Sequence, residues 1–259
     1  MLGMGTWYWG LVAGLMMVVS ILLPQGAIAW GHPALPEWSY AGETHPDRWG
    51  DLSPAYALCA QGQNQSPIDV TAWVEGDRTP LEVDYAPTPL AIRNDGHTLQ
   101  VYDQVGQHLR IQDQDYRLIQ FHFHTPSEHQ RGGRSAPMEV HLVHRNGAGD
   151  LAVVGILVEE GEANPLIQTL WEHSPKVGET YQEAAVQVNA ADLLPIDRTY
   201  LSYMGSLTTP PCSESVRWYL LEQAITMSAE QLLRFQQLYP HNARPIRPLN
   251  QRIVELHQG

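Results

Sequence analysis

Gln120-Phe-His-Phe-His-Thr-Pro-Ser-Glu-His129 is the stretch on which the reading of this 259-residue chain turns. Side chains alternate between faces along a β-strand, so His122 and His124 project from one side and Phe121 and Phe123 from the other. A third imidazole, His141, follows in Met138-Glu-Val-His-Leu-Val-His144. If that segment pairs as a neighbouring antiparallel strand, the three imidazoles converge on one point. Three protein nitrogens with an open fourth position make a catalytic rather than a structural zinc site. Gln120 and Glu139 stand two residues before His122 and His141 and so share their faces. Metal-bound imidazoles usually give their other N–H to an amide, a carboxylate or a backbone carbonyl. A strand H-x-H alone is more often a pair of ordinary polar residues; ligands and partners recurring together at period two favour the metal.

Outward from this stretch, composition narrows the field. The chain is 43% hydrophobic, enough for one single-core domain, and carries a formal charge of −13 with Lys176 as its only lysine. No basic patch is visible, which argues against nucleic acid and anionic membrane surfaces as partners. No Asp, Glu, Lys or Arg precedes Glu37, Gly10–Leu23 is almost wholly apolar, and Ala27-Ile28-Ala29 has the A-x-A form of a cleavage site. Residues 1–29 therefore read as a secretory signal peptide and residues 30–259 as the exported domain, periplasmic or secreted. Trp7–Leu23 as an uncleaved anchor is the weaker alternative, since about 20 residues is the usual span. The two cysteines, Cys59 and Cys212, read as a disulfide in an exported protein, against the alternative of two buried thiols.

The chain has no internal repeat or heptad run, and Gly and Pro punctuate it at short intervals, as in a sheet-rich fold. Strands are expected over Leu90–Asn94, Leu99–Val101, Leu109–Ile111, Tyr116–His124, Met138–Arg145, Leu151–Val158, Tyr200–Ser206 and Ser215–Leu221. Turns such as Asn94-Asp-Gly96 and Arg145-Asn-Gly-Ala-Gly149 favour antiparallel pairing. Helices are expected over Asn164–Glu172 and Ser228–Leu238, the second with Ser228 and Gln231 at capping-box spacing. Pro33–Ser53 reads as an irregular arm packed by Trp38, Tyr40 and Trp49. The fold class is α+β, mainly β.

These segments together resemble the α-class carbonic anhydrases of the exported bacterial type. The resemblance runs from Trp38-Ser-Tyr40 through Gln65-Ser-Pro-Ile-Asp69, Asn94-Asp-Gly-His97, Gln120–His129, Glu139-Val-His141 and Gly205-Ser-Leu-Thr-Thr-Pro-Pro-Cys212 to Asn242-Ala-Arg-Pro245. It implies a single domain around a large, twisted, predominantly antiparallel central sheet with a few short peripheral helices. It implies one Zn2+ per chain on His122, His124 and His141, with Gln120 and Glu139 as their hydrogen-bonding partners. Thr208 matches the threonine that accepts a hydrogen bond from zinc-bound hydroxide, Glu128 the glutamate that accepts from that threonine, and His97 the proton-shuttle histidine. Val143, Val153, Leu207 and Trp218 match the apolar wall that receives CO2. Tyr40, Asn94, Gln100 and Thr209 match the polar side that holds ordered water, and Cys59 and Cys212 the disulfide of exported members. The chain departs from the family's pattern at Gln100, Met204 and Arg247, none of which is an expected ligand.

The implied activity is reversible hydration of CO2 to bicarbonate and a proton, by attack of zinc-bound hydroxide. Neutral imidazoles leave zinc its full charge, which lowers the pKa of bound water from about 15.7 to near 7. CO2 is uncharged and suits an apolar wall, and a histidine with a pKa near 6.5 suits proton export. Sulfonamide and anion inhibitors, weak incidental ester hydrolysis, and a monomer or homodimer are further expectations. Two other readings compete. A cupin-type metal oxygenase would use the His122-x-His124-x3-Glu128 spacing, but leaves Gln120 and Glu139 unexplained. A non-catalytic binding module of the same fold would be favoured by a missing ligand, yet all three histidines are present.

Overall fold

The computed structural model describes residues 35–258. The expected signal segment, residues 1–29, lies outside the described residues. Among them, no helix is long and apolar enough to cross a membrane.

Thirteen strands form one large mixed sheet, flanked by a three-stranded sheet and a few short helices. In chain order the ten strands of its main path are β1 (Val74–Glu75), β2 (Thr88–Asn94), β3 (Leu99–Tyr102), β4 (Gln114–His124), β5 (Met138–Asn146), β6 (Leu151–Glu160), β7 (Thr180–Val188), β8 (Tyr200–Ser206), β9 (Glu214–Leu221) and β10 (Glu255–His257). They lie side by side as β7-β2-β3-β4-β5-β6-β9-β8-β10-β1. All eight expected strands form, within a few residues of their expected ends. β4, β5 and β6 occupy the centre, and their alternation sends Phe121, Phe123, Val140 and Leu142 into the main apolar core behind the sheet.

Pairing is antiparallel across β2 to β6, as the short turns require. The β6–β9 pair is parallel instead, Val153 lying beside Trp218 and Gly155 beside Leu220. A long excursion through the helix Pro165–Glu172 (α1), β7 and β8 separates those two strands, which a parallel return needs. The short β10–β1 pair is parallel too.

Local chemistry sets the helix ends. Asn164 caps α1 by accepting the Ile167 N–H at 3.1 Å. Ser228 and Gln231 form the expected capping box at the start of the helix Ala229–Leu238 (α2). Trp171 from α1 and Phe235 from α2 stack on each other at 5.0 Å and cover Phe123 behind the histidine strand. The N-terminal arm forms short 3-10 turns and one helical turn, and its Trp38, Tyr40 and Trp49 meet edge to face. Cys59 and Cys212 are bonded beneath this aromatic group, closing a loop of 153 residues.

Candidate metal centre

β4 and β5 pair with His122 directly opposite His141 and His124 opposite Glu139. The alternation of both strands therefore places all three imidazoles on one face, with ring centroids 4.5 to 5.2 Å apart. One nitrogen from each lies within 4.8 Å of the others.

The far nitrogen of each ring is fixed. His122 Nδ1 is 2.9 Å from Gln120 Oε1 and His141 Nε2 is 2.9 Å from Glu139 Oε1. His124 Nδ1 is 2.7 Å from the carbonyl of Asn242, a partner that sequence spacing did not disclose. These oxygens accept, so each of those nitrogens carries its hydrogen, and the opposite nitrogen keeps a lone pair. Burial holds His122 well below its ordinary pKa, His124 down at about 4, and His141 below its ordinary value. The rings are thus neutral donors. His124 Nε2 is fully enclosed and has no hydrogen-bond partner, an expensive state unless a cation uses its lone pair. An all-nitrogen, neutral set of three with its tautomers fixed fits a zinc-like divalent cation.

Glu139 is itself held tightly. Its Oε1 also meets His129 Nδ1 at 2.7 Å and its Oε2 accepts the His129 N–H at 2.8 Å. Burial pushes this carboxyl up, but His129 and His141 outweigh that and hold it well below the usual range. His129 Nε2 in turn meets the Tyr203 hydroxyl at 2.7 Å. Gly155 stands across from His141, and a Cβ there would lie 3.1 Å from Glu139 Oε1 and 2.6 Å from Leu220 Cδ2. The absent side chain is what lets Glu139 fit.

The histidines form the floor of a cleft of about 130 Å3. Val143, Val153, Leu207 and Trp218 make one wall; Tyr40, His97, Gln100, Thr208 and Thr209 are placed around the rest. Val143 and Val153 are paired across β5 and β6, and Trp218 is Val153's neighbour on β9, so the apolar wall is a patch of sheet. Trp218 is fixed by donating its indole N–H to Ser206 O at 3.0 Å.

Asn94 does not line the cleft. Its buried amide donates to Pro175 O and accepts from Gly96 N–H and the Tyr239 hydroxyl, which holds the turn together. The next residue, Asp95, takes the expected place: its Oδ1 accepts the His97 and Thr98 N–H groups, and its Oδ2 accepts Gln100 Nε2 at 2.9 Å. Strand alternation ends at Asn94, so the sequence pattern carried no signal for which turn residue faces inward. His97 is half-buried, stacked on Trp38 at 3.7 Å, with Nε2 2.9 Å from the Trp38 carbonyl.

Glu128 is buried beside the triad, its Oε2 3.6 Å from His124 Nε2. Burial pushes its carboxyl up to about 7, against the opposing pull of His141 and the Arg244 N–H. Arg244 fixes Glu128 Oε1 through its backbone N–H at 2.8 Å, while its guanidinium donates to Gln65, Ser66 and Cys59. Asn242 and Arg244 both come from the extended segment after α2, where no periodicity announces a role.

Comparison with known proteins agrees with this geometry. Residues 44–258 match the family model described as eukaryotic-type carbonic anhydrase. A carbonic anhydrase of Nostoc sp. is 42% identical over 223 residues, 84% of each chain. The structure of a hyperthermostable carbonic anhydrase identified from an active hydrothermal vent chimney superposes with a TM-score of 0.83 at 43% identity, covering 86% of this chain and all of that one. The α-carbonic anhydrase of Thermovibrio ammonificans, in complex with the inhibitor sulfanilamide, gives 0.81 at 39% identity, covering 85% of this chain and 98% of that one. With family, sheet and histidine cluster in agreement, this chain belongs to the α-carbonic anhydrases.

Proposed function

We propose that the chain catalyses reversible hydration of CO2 to bicarbonate and a proton at one Zn2+ held by His122, His124 and His141. The observation that carries this reading is the convergence of three neutral imidazoles, each with its far nitrogen fixed, on the floor of a cleft with one apolar wall. When bound there, the ion supplies Lewis acidity that brings the pKa of a water molecule from about 15.7 to near 7.

The residues around it do the rest. Val143, Val153, Leu207 and Trp218 receive uncharged CO2 and leave bicarbonate poorly solvated, which favours its release. Positive charge at the triad draws the Glu128 carboxyl back down, so that it accepts the Thr208 hydroxyl proton. Thr208 is then left only as an acceptor toward the nucleophilic oxygen and fixes its orientation. Tyr40, Gln100, Thr209 and Asp95 hold water between the floor and the rim. Since the Trp38 carbonyl accepts from His97 Nε2, Nδ1 is free to take a proton, which the ring then passes to buffer.

The same cleft accounts for the remaining expectations. Sulfonamides and small anions would compete at the open position, by analogy with the sulfanilamide complex of the similar protein. An activated nucleophile there would also hydrolyse activated esters weakly. The Cys59–Cys212 bond supports export to an oxidising compartment, the periplasm or the exterior. The partners are small molecules, with the chain a monomer or homodimer.

Stopped-flow CO2 hydration by the zinc-loaded protein, with and without chelator, tests the proposal. Rapid turnover abolished by the chelator is expected, as is loss of zinc and activity in His124→Ala. His97→Ala should slow turnover in weak buffer and recover with added imidazole. Full zinc loading without hydration would overturn the assignment.

A further inference from the structure

On the opposite face of the sheet, a second group of side chains is linked in a way that zinc chemistry does not use. Along β8, Leu201 and Tyr203 face the cleft side, with Val153 and Trp218, while Tyr200 and Ser202 face the other way. Ser202 Oγ lies 3.0 Å from His257 Nε2 on the neighbouring β10. His257 Nδ1 lies 2.8 Å from Asp77 Oδ1, just past the end of β1. Asp77 only accepts, so Nδ1 carries the hydrogen and Nε2 is the acceptor for the Ser202 hydroxyl. Serine, histidine and aspartate therefore stand in the order and at the nitrogens that nucleophilic acyl transfer needs.

The imidazole is held from every side. It stacks on Tyr200 at 4.8 Å, and Tyr200 is anchored by its hydroxyl on Thr79 O. Thr79 Oγ1 also donates to Asp77 Oδ1 at 2.7 Å. Gly76 lies flush on the ring, where a Cβ would be 2.6 Å from His257 Cε1. Glu255 Oε2 is 3.7 Å from Nε2, too far to take the place of the hydroxyl.

Ser202, His257 and Asp77 line one cavity of about 370 Å3. Arg217 and Gln112 line it too: Gln112 donates its amide N–H to Asp77 Oδ2 at 3.3 Å, and Arg217 adds a positive charge to the lining. Glu75, Asp77 and Glu255 give the cavity an acidic rim that repels anionic substrates and admits neutral ones.

We propose that Ser202, His257 and Asp77 form a second, metal-independent hydrolytic site for small neutral carboxylic esters. Ser202 Oγ forms a bond to the acyl carbon as its proton passes to His257 Nε2. The ester C–O bond breaks, and that proton leaves with the alcohol. Water then gives a proton to His257 Nε2 as its oxygen bonds to the acyl carbon; the acyl–Oγ bond breaks, Oγ takes that proton back from His257, and the carboxylic acid leaves. Asp77 is a positioning residue that holds the imidazole tautomer. The site owes nothing to the metal-centre reading.

Labelling of the full zinc-loaded protein with a fluorophosphonate tests it, because phosphonylation of Ser202 Oγ releases fluoride and needs no metal. Peptide mass spectrometry should find the adduct on Ser202. His257→Ala should abolish labelling. Asp77→Asn should slow it by at least about ten-fold, with Asp77→Glu recovering part of the rate. Hydrolysis of p-nitrophenyl acetate in the chelator-treated protein should persist and disappear in Ser202→Ala. A wild-type protein whose Ser202 stays unlabelled, or ester hydrolysis that vanishes wholly with zinc, would overturn the proposal; the hydrogen-bonded chain would then be a tether of the terminal strand.

Discussion

The carbonyl of Asn242 accepts the Nδ1–H of His124 at 2.7 Å, across 118 residues of sequence. The Asn242 side chain secures that carbonyl: its Oδ1 accepts the Thr125 N–H at 2.7 Å, and its Nδ2 donates to His97 O and Phe123 O, both at 2.9 Å. One side chain thus ties the C-terminal segment to the strand that carries His122 and His124 and to the turn that carries His97.

Asn242→Ala keeps the carbonyl but removes its three anchors. Zinc affinity should fall by about 10–100-fold, the usual cost of losing support behind a metal-bound histidine. Competition with a chromogenic chelator reads this directly. Unchanged affinity would show that the neighbouring Arg244 contacts suffice to hold the segment.

Thr208 and Glu128 act as one unit in the proposed reaction. Thr208→Ala should lower kcat/KM for CO2 by about a hundred-fold, the scale of losing one positioned hydrogen bond in a transition state. Thr208→Ser should retain most of the rate. Glu128→Gln should cost a similar factor, and the double variant little more than either single one. Fully additive losses would separate the two residues.

The disulfide closes a loop of 153 residues, for which the chain-entropy model gives roughly 5 kcal/mol as an upper figure. Reduction, or Ser at both positions, should lower Tm by about 10 °C at this chain length. Identical melting curves with and without reductant would show the bond to be without weight in the folded state.

His144 supplies a pH dependence independent of the metal. Burial pushes its pKa down to about 4, while Nδ1 meets Ala152 O and Nε2 meets the Tyr85 hydroxyl. In the unfolded chain the same group titrates near 6.5. Between those values the unfolded state binds the extra proton, so stability falls as pH drops from about 6.5 toward 4 and is unaffected above that window. By pH 5 the loss is about 2 kcal/mol. Urea denaturation should show a flatter pH dependence in His144→Gln than in the parent, and equal slopes would rule the residue out as a cause.

Much of this architecture was legible in the sequence because its central strands bury one face and alternate. The period-two pattern of β4 and β5 disclosed both the pairing and the convergence of the three histidines. β7 escaped notice because six of its nine residues are exposed and only Val188 is buried, so no alternation marks it. β1 and β10 have two and three residues and pair in parallel, leaving no turn signal between them. Asn94 was placed in the cleft where Asp95 stands because a turn, unlike a strand, has no fixed facing. Asn242 and Arg244 meet His124 and Glu128 through backbone groups, which are the same in every residue, and their anchoring side chains lie in an extended segment without periodicity.

That the last hold on His124 comes from residue 242 also orders events during synthesis. A nascent chain exposes His122, His124 and His141 long before Asn242 has been made, and β10, the last strand in chain order, lies later still. Until then the His124 ring lacks the acceptor that fixes its tautomer. On the proposed metal reading, capture waits for the finished chain, in which all three tautomers are fixed.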